Sequence, residues 1–355
     1  MQEMNRRTFL LAAGKWVALA AIAGTTPALS ACGHLLASPD TQGQTAETGE
    51  AGSTTTSVAV SASATVPPAT ATSVAEANSS TTATTQLVPP DLAVFTGEQP
   101  DLNVRAAIAA LGGMGRFVKS GAKVVVKPNV LTGRPPETAT TTNPTVMATI
   151  IRMCFEAGAG SVTVFDNPTV SPRPAFETCG LAKATAEAGG TLKYLSSRDF
   201  EKVDIPEGKI LTSWPLVRDA LEADVFINVP IAKTHSVTTL TMSMKNLMGI
   251  MGGSRGSIHT DIATKLVDVN TLVKPHLVIL DAYRVLFRNG PTGGNPADVK
   301  MPKTVVAGTS QVSIDAYGTG FFGMKPTDID WLVEASERGL GEIDLSKLNI
   351  QKGTA

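Results

Sequence analysis

Lys233 and His235 stand two residues apart in the run Asn228-Val229-Pro230-Ile231-Ala232-Lys233-Thr234-His235, directly after an apolar stretch. That spacing pairs two chemistries. A lysine ammonium holds an anion as a point charge, while a histidine with an unperturbed pKa near ~6.5 exchanges a proton at neutral pH. Downstream, Lys245 and Asn246 fall in a helix or turn. The loop Gly252-Gly253-Ser254-Arg255-Gly256 then adds a guanidinium and free backbone amides, a set suited to phosphate or carboxylate. His259 follows this loop, so His235 and His259 flank it. Either acts as general base or as metal ligand, and each needs a carboxylate to fix its tautomer. Asp166, Asp281 and Asp315 are the candidates, and two histidines with one of them would hold a divalent metal. Met242, Met244, Met248 and Met251 sit at a spacing that reads as helix core rather than as a soft-metal box.

The elements that must position these groups alternate between strands and helices. Strands are expected at Leu92–Phe95, Ala122–Val126, Val162–Phe165, Leu192–Leu195, Val225–Val229, Leu277–Leu280 and Thr304–Ala307. Helices are expected from Asp101 to about Val118, from the cap at Asn143-Pro144 to Ala157, and near 172–188, 214–222, 240–250, 260–273, 311–322 and 328–338. Apolar, β-branched strands separated by helix-length segments predict an α/β fold with a mainly parallel sheet. Polar groups cluster just past the strand ends: Lys127 and Asn129, Asp166 and Asn167, Lys233 and His235, and Asp281. In open parallel sheets the crevice beyond the strands' carboxyl ends is where ligands bind. The expected ligand set is therefore Lys127, Asn129, Lys245, Asn246 and Arg255, with Lys233, His235 and His259 as catalytic candidates and a small anion as the partner.

Composition removes several other functions. The chain has 355 residues and a net charge of −1, far from the basic balance of a nucleic-acid binder. There is no Gly-x-x-x-x-Gly-Lys loop and no Gly-x-Gly-x-x-Gly after a strand. Gly-x-Ser-x-Gly occurs only as Gly252–Gly256, after an expected helix rather than at the strand-to-helix elbow that a hydroxyl nucleophile needs. Three cysteines exclude a disulfide scaffold, and no Cys-x-x-Cys or Cys/His cluster is present to hold zinc or an iron–sulfur cluster. Cys154 and Cys179 read as buried free thiols. His276, before a strand, reads as a surface or capping residue, and His34 lies beside the expected lipid anchor at Cys32.

The amino-terminal quarter is not part of that domain. Residues 1–32 carry a net +2 and place Arg6-Arg7 before an apolar run from Trp16 to Ala31, too short to span a bilayer comfortably. The arginine pair resembles a twin-arginine export signal, with a general secretory route as the alternative. Leu29-Ser30-Ala31-Cys32 resembles a lipobox whose cysteine receives a lipid. Residues 33–90 carry a net −4 with no Lys or Arg and are rich in Ser, Thr and Ala. They lack the large apolar groups needed to offset ordering entropy, which predicts a disordered linker. As a coil it would hold the domain on the order of 40 Å from its anchor. Removing these two segments from the total leaves +1 for residues 91–355, a length sufficient for one large domain without disulfides. An exported protein, anchored to a membrane through its N-terminal lipid and facing away from the cytoplasm, is the expected organisation; no signal fixes an oligomeric state.

An ordered set of motifs carries a family resemblance. Val125-Val126-Lys127-Pro128-Asn129, the Asn143-Pro144 helix start, the Gly-Ala-Gly turn before Val162 and Lys233-Thr234-His235 come first. Lys245-Asn246-Leu247-Met248-Gly249, His259, Leu280-Asp281, Gly290-Pro291-Thr292-Gly293-Gly294 and Ser313-Ile314-Asp315-Ala316 follow. Over roughly residues 91–325 this series resembles the DUF362 family, whose members are often labelled iron–sulfur centre proteins and often carry a cysteine-rich ferredoxin-like module. This chain lacks that module, so no iron–sulfur cluster is expected in it. The resemblance brings no reaction with it. From the residues, two functions stand: an enzyme acting on a small anionic substrate or using an anionic or metal cofactor, and a lipid-anchored protein that binds the same ligand without chemistry.

Overall fold

Val124, Val125 and Val126 alternate between two cores, the period of a strand buried on both faces. The computed structural model describes residues 88–355; the expected export signal with Cys32, and the linker up to residue 87, lie outside them. The strands are β1 (Leu92–Thr96), β2 (Lys123–Pro128), β3 (Ser161–Val164), β4 (Thr191–Leu192), β5 (Phe200–Asp204) and β6 (Ser213–Val217). They continue with β7 (Val225–Val229), β8 (Ile231–His235), β9 (Thr239–Thr241), β10 (Leu277–Leu286), β11 (Val299–Lys300), β12 (Thr304–Gly308) and β13 (Ile350–Thr354).

The main sheet runs in the order β13-β1-β12-β10-β7-β2-β3-β4. From β10 to β4 every neighbouring pair is parallel, as is β1 with β13, while β12 lies antiparallel to both β1 and β10. The fold is thus α/β with a mixed, mostly parallel central sheet. Helices Pro100–Ala110, Pro144–Glu156 and Leu181–Glu187 pack on one face. Helices Ile262–Leu272, Gln311–Gly318 and Asp330–Glu337 pack on the other. No helix among the described residues is long and apolar enough to cross a membrane.

Several sequence expectations are corrected. The first helix ends at Ala110 because Gly112 and Gly113 adopt φ values of 95° and 84°, which a glycine tolerates and a helix does not. The expected helix at 172–188 is two helices, divided at Gly180 with φ 77°. The expected helix at 214–222 begins as β6, which pairs with β5 in a separate two-stranded ribbon.

The correction that shapes the site concerns Lys233 and His235, which lie inside β8 rather than in a loop after β7. Pro230 has no N–H to continue the ladder, so the chain breaks between β7 and β8. β10 is ten residues long and accompanies both: Leu277 and Val278 pair with β7, then Asp281 and Leu286 pair with β8. The sheet is thereby extended past the carboxyl ends of β2 and β3. Asp281 consequently stands within a strand, not at its end.

Candidate functional site

At that edge lies a cleft of about 570 Å³. β2 delivers Lys127 and, just beyond it, Asn129; the turn after β3 delivers Asp166 and Asn167; β8 delivers Lys233 and His235. The short helix Ser243–Asn246 brings Lys245 and Asn246, and the glycine-rich loop brings Arg255, with His259 behind it. Every catalytic and ligand candidate read from the sequence therefore lines one cleft, and Asp166 joins them. Val130, Leu131, Thr169, Thr241, Met248, Pro291 and Thr292, with Gly249, Gly253 and Gly256, complete the wall. In the sequence Met248 stood out only as helix core and, with Gly249, Pro291 and Thr292, as part of a family motif. Gly253 and Gly256 belonged to the glycine-rich loop, and no chemistry-bearing signal marked the others. Apart from Thr241 at the end of β9 and Met248, Gly249 and Gly256 in short helical turns, they come from loops whose path only the fold defines.

Asp281 and Asp315 are placed elsewhere. Both are buried and absent from the cleft wall. Asp281 accepts the backbone N–H of Asn143 at 2.7 Å and of Tyr283 at 3.0 Å, tying β10 to the start of helix Pro144–Glu156. Asp315 accepts the N–H groups of Ser243 at 2.7 Å and Met244 at 2.9 Å, and so anchors the helix that carries Lys245. Burial raises their pKa values to about 6 and about 7, against the pull of those amides. Asp166 is also committed, to the N–H of Val130 and Asn167 and to a buried ion pair with Lys127 Nζ at 3.0 Å. Among the described residues no three His, Cys, Asp or Glu side chains converge to hold a metal. The expected two-histidine, one-carboxylate set does not assemble there, because each aspartate spends its oxygens on backbone or lysine.

Three buried lysines differ in how they are held. Lys127 Nζ donates to Pro128 O at 2.8 Å and Asn246 Oδ1 at 3.0 Å besides its ion pair. Lys233 Nζ donates to Asn129 Oδ1 at 2.8 Å and Thr140 O at 2.6 Å. Lys245, only 8% exposed, finds no oxygen among the described residues: its one contact is Met248 Sδ at 3.6 Å. Burial, then the neighbouring Lys245 charge, lowers Lys233 to about 7; burial, then Arg255, lowers Lys245 to about 8. Among the described residues Arg255 reaches only the carbonyls of Met248 and Pro168, at 3.3 and 3.2 Å. The cleft is therefore rich in cations, and among the described residues Asp166 is the one carboxylate in its wall.

His235 is not the neutral-pH proton exchanger that its sequence context suggests. Burial, reinforced by Lys245, Lys233 and His259, lowers its pKa to about 3. Its Nδ1 accepts the N–H of Val237 at 3.0 Å and of Thr238 at 3.3 Å, which places the proton on Nε2. A backbone pair, not a carboxylate, fixes the tautomer, and the ring serves as a neutral hydrogen-bond donor. His259 stacks on it with centroids 6.3 Å apart. The remaining residues take quieter places. His276 caps β7 through Phe226 N–H, Cys154 and Cys179 are buried free thiols, and Met242, Met244 and Met251 are core.

Comparison with known proteins places this architecture. A family model described as "Domain of unknown function (DUF362)" matches residues 124–320, inside the span of the sequence resemblance. A thylakoid-associated protein of Synechocystis sp. is 31% identical over 252 residues, covering 67% of this chain and 74% of the relative. A Thermotoga maritima protein is 12% identical with a TM-score of 0.35, over 51% of each chain. The lactate racemase apoprotein of Thermoanaerobacterium thermosaccharolyticum is 11% identical with a TM-score of 0.39, over 66% of this chain and 57% of that one. At those scores neither structure bears on the reaction.

Proposed function

This chain belongs to the DUF362 family, and we propose that it is an exported, lipid-anchored enzyme that takes a small anionic substrate into the basic cleft. The observation that carries the reading is Lys245: a lysine buried without an oxygen partner is costly, and a bound carboxylate or phosphate removes the cost. Arg255, held only by two long contacts to carbonyls, has donors to spare for the same anion. Lys233 and neutral His235 complete the shell, the first as a cation shared with Asn129, the second as an Nε2 donor.

Calorimetric titration with inorganic phosphate and with malonate tests the reading. One of them is expected to bind, and Lys245→Ala to weaken it on the order of tenfold to a hundredfold, the ~1.5–3 kcal/mol of a charge-assisted hydrogen bond. Absence of binding by either anion overturns the proposal. The second reading, a lipid-anchored binding protein without chemistry, rests on the same cleft. Incubating the purified chain with small phosphates and carboxylates separates the two, since a binder holds its ligand and does not deplete it.

A further inference from the structure

We propose that Lys245 is an amine nucleophile that forms an imine with a small 2-oxo carboxylate, a proposal that rests on the anion-binding reading of the same cleft. The three buried lysines divide by restraint. Lys127 is fixed by Asp166, Pro128 O and Asn246 Oδ1, and Lys233 by Asn129 Oδ1 and Thr140 O. An amine whose hydrogens point into fixed acceptors cannot turn its lone pair on a carbonyl carbon. Lys245 has no such acceptor among the described residues, only the thioether of Met248, so its Nζ is free to rotate within the cleft.

Two further features suit the chemistry. Lys245 has no carboxylate partner, and its neighbour Arg255 is a cation, so nothing in the cleft stabilises its ammonium form. That is the setting in which desolvation and like charge ready a lysine for nucleophilic attack. Arg255 lines the same cleft, and each of its terminal nitrogens spends one hydrogen on a carbonyl, Met248 O or Pro168 O, and keeps one for the substrate carboxylate, which leaves the adjacent carbonyl to the amine. His235 supplies a neutral Nε2–H at the cleft wall, a donor suited to the oxygen of the addition intermediate.

The step balances without another reagent. The Lys245 nitrogen lone pair attacks the keto carbon and the C=O π pair moves to oxygen. The carbinolamine then loses its C–O bond as C=N forms. The oxygen leaves as water with the two hydrogens that the neutral amine carried, and no oxidant or reductant is consumed.

The test uses the full chain with pyruvate and, separately, 2-oxoglutarate as probes, each followed by borohydride. Peptide mapping by mass spectrometry is expected to find one reduced adduct, on the peptide containing Lys245, and Lys245→Arg to lose it. Calorimetry with the same probes is run alongside. Binding of either keto acid with no adduct overturns the imine and leaves the anion-binding reading standing. Failure of every anion to bind overturns both. Adducts scattered over exposed lysines, and unchanged in Lys245→Arg, also overturn the imine.

Discussion

Asn228 and Gln311 are joined beneath the cleft by a 2.7 Å hydrogen bond, Asn228 Nδ2 to Gln311 Oε1. The bond is one link in a line of side-chain amides. Gln311 Nε2 donates to Asn270 Oδ1 at 2.6 Å, and Asn246 Nδ2 donates to Asn228 Oδ1 at 2.7 Å. Asn246 Oδ1 then accepts from Lys127 and Asn129, and Asn129 Oδ1 accepts from Lys233. Every amide turns its oxygen toward the cleft and its nitrogen away. The lysines dictate this, since an ammonium can only donate and the first amide must meet it with an acceptor.

Breaking the line at Gln311 is therefore expected to reach the cleft. In Gln311→Leu, Asn270 Oδ1 loses its donor and Asn228 Nδ2 keeps only Ser243 O, at 2.9 Å. The cost should be about 1–3 kcal/mol for the stranded buried group, read as a lower urea midpoint. Weakened phosphate or malonate binding should accompany it, although Gln311 does not line the cleft. Unaltered stability and unaltered binding together would show that the line positions nothing.

Gly249 makes a sharper probe of the ion pair. A Cβ built there would overlap Asp166 Oδ1 and crowd Lys127 Nζ. Gly249→Ala should separate Lys127 from Asp166, cost about 1–3 kcal/mol as overpacking does, and lower anion affinity. A variant that melts and binds like the parent would mean that the backbone yields freely and that the close approach is not needed.

The proposed anchor has its own test, independent of the cleft. The likeness of Leu29-Ser30-Ala31-Cys32 to a lipobox puts the proposed lipid on Cys32. Membrane fractions should retain the parent and release Cys32→Ser, and intact mass should show an acylated Cys32 at the N-terminus. Retention of Cys32→Ser on membranes would remove the anchor from the proposal while leaving the cleft untouched.

How much of this was legible in the sequence follows from which interactions are local. The run Leu277–Leu280 that opens β10 is continuously apolar, and the Asn143 cap is a short-range signal: its side chain accepts Thr145 N–H at 3.0 Å. Lys127, Lys233, His235 and Lys245 could be gathered because parallel strands deliver their ends to one edge. What the sequence concealed is long-range. The extension of β10 beside both β7 and β8 depends on partners about fifty residues away, and it moves Lys233 from an expected loop into a strand. Asp281 and Asp315 look like free carboxylates until the backbone amides they accept are brought to them. Asn228 did leave a trace, as a polar residue between Ile227 and Val229 in an apolar strand, a position that demands a buried partner.

The pH dependence follows from groups on both sides of neutrality. Lys233 and Lys245 titrate near about 7 and about 8 when folded, against 10.5 for an ordinary lysine. As pH falls through 10.5 the unfolded chain takes up protons that the folded chain still refuses, so stability declines until both lysines are charged, below about 7. Asp281 and Asp315 titrate near about 6 and about 7, against 3.8. Between about pH 4 and 7 the folded chain holds protons that the unfolded chain has released, so stability also declines as pH rises across that window. The ligand-free protein is thus expected to be least stable near neutral pH and firmer on either side, as scanned by urea midpoint against pH. An anion bound at Lys245 restores its charge, so binding near pH 8 must draw in protons and tighten, by at most about tenfold per pH unit for each proton, as pH falls toward 7. His235, lowered from 6.5 to about 3, stays neutral across the binding window and adds nothing there. Below about pH 6.5, however, its unfolded form takes up a proton that the folded form refuses, which offsets part of the firming that the aspartates bring as pH falls. Calorimetry in buffers of different ionisation heat counts the protons directly. An affinity unchanged between pH 9 and 7, with no proton taken up, would place the anion away from Lys245 and Lys233.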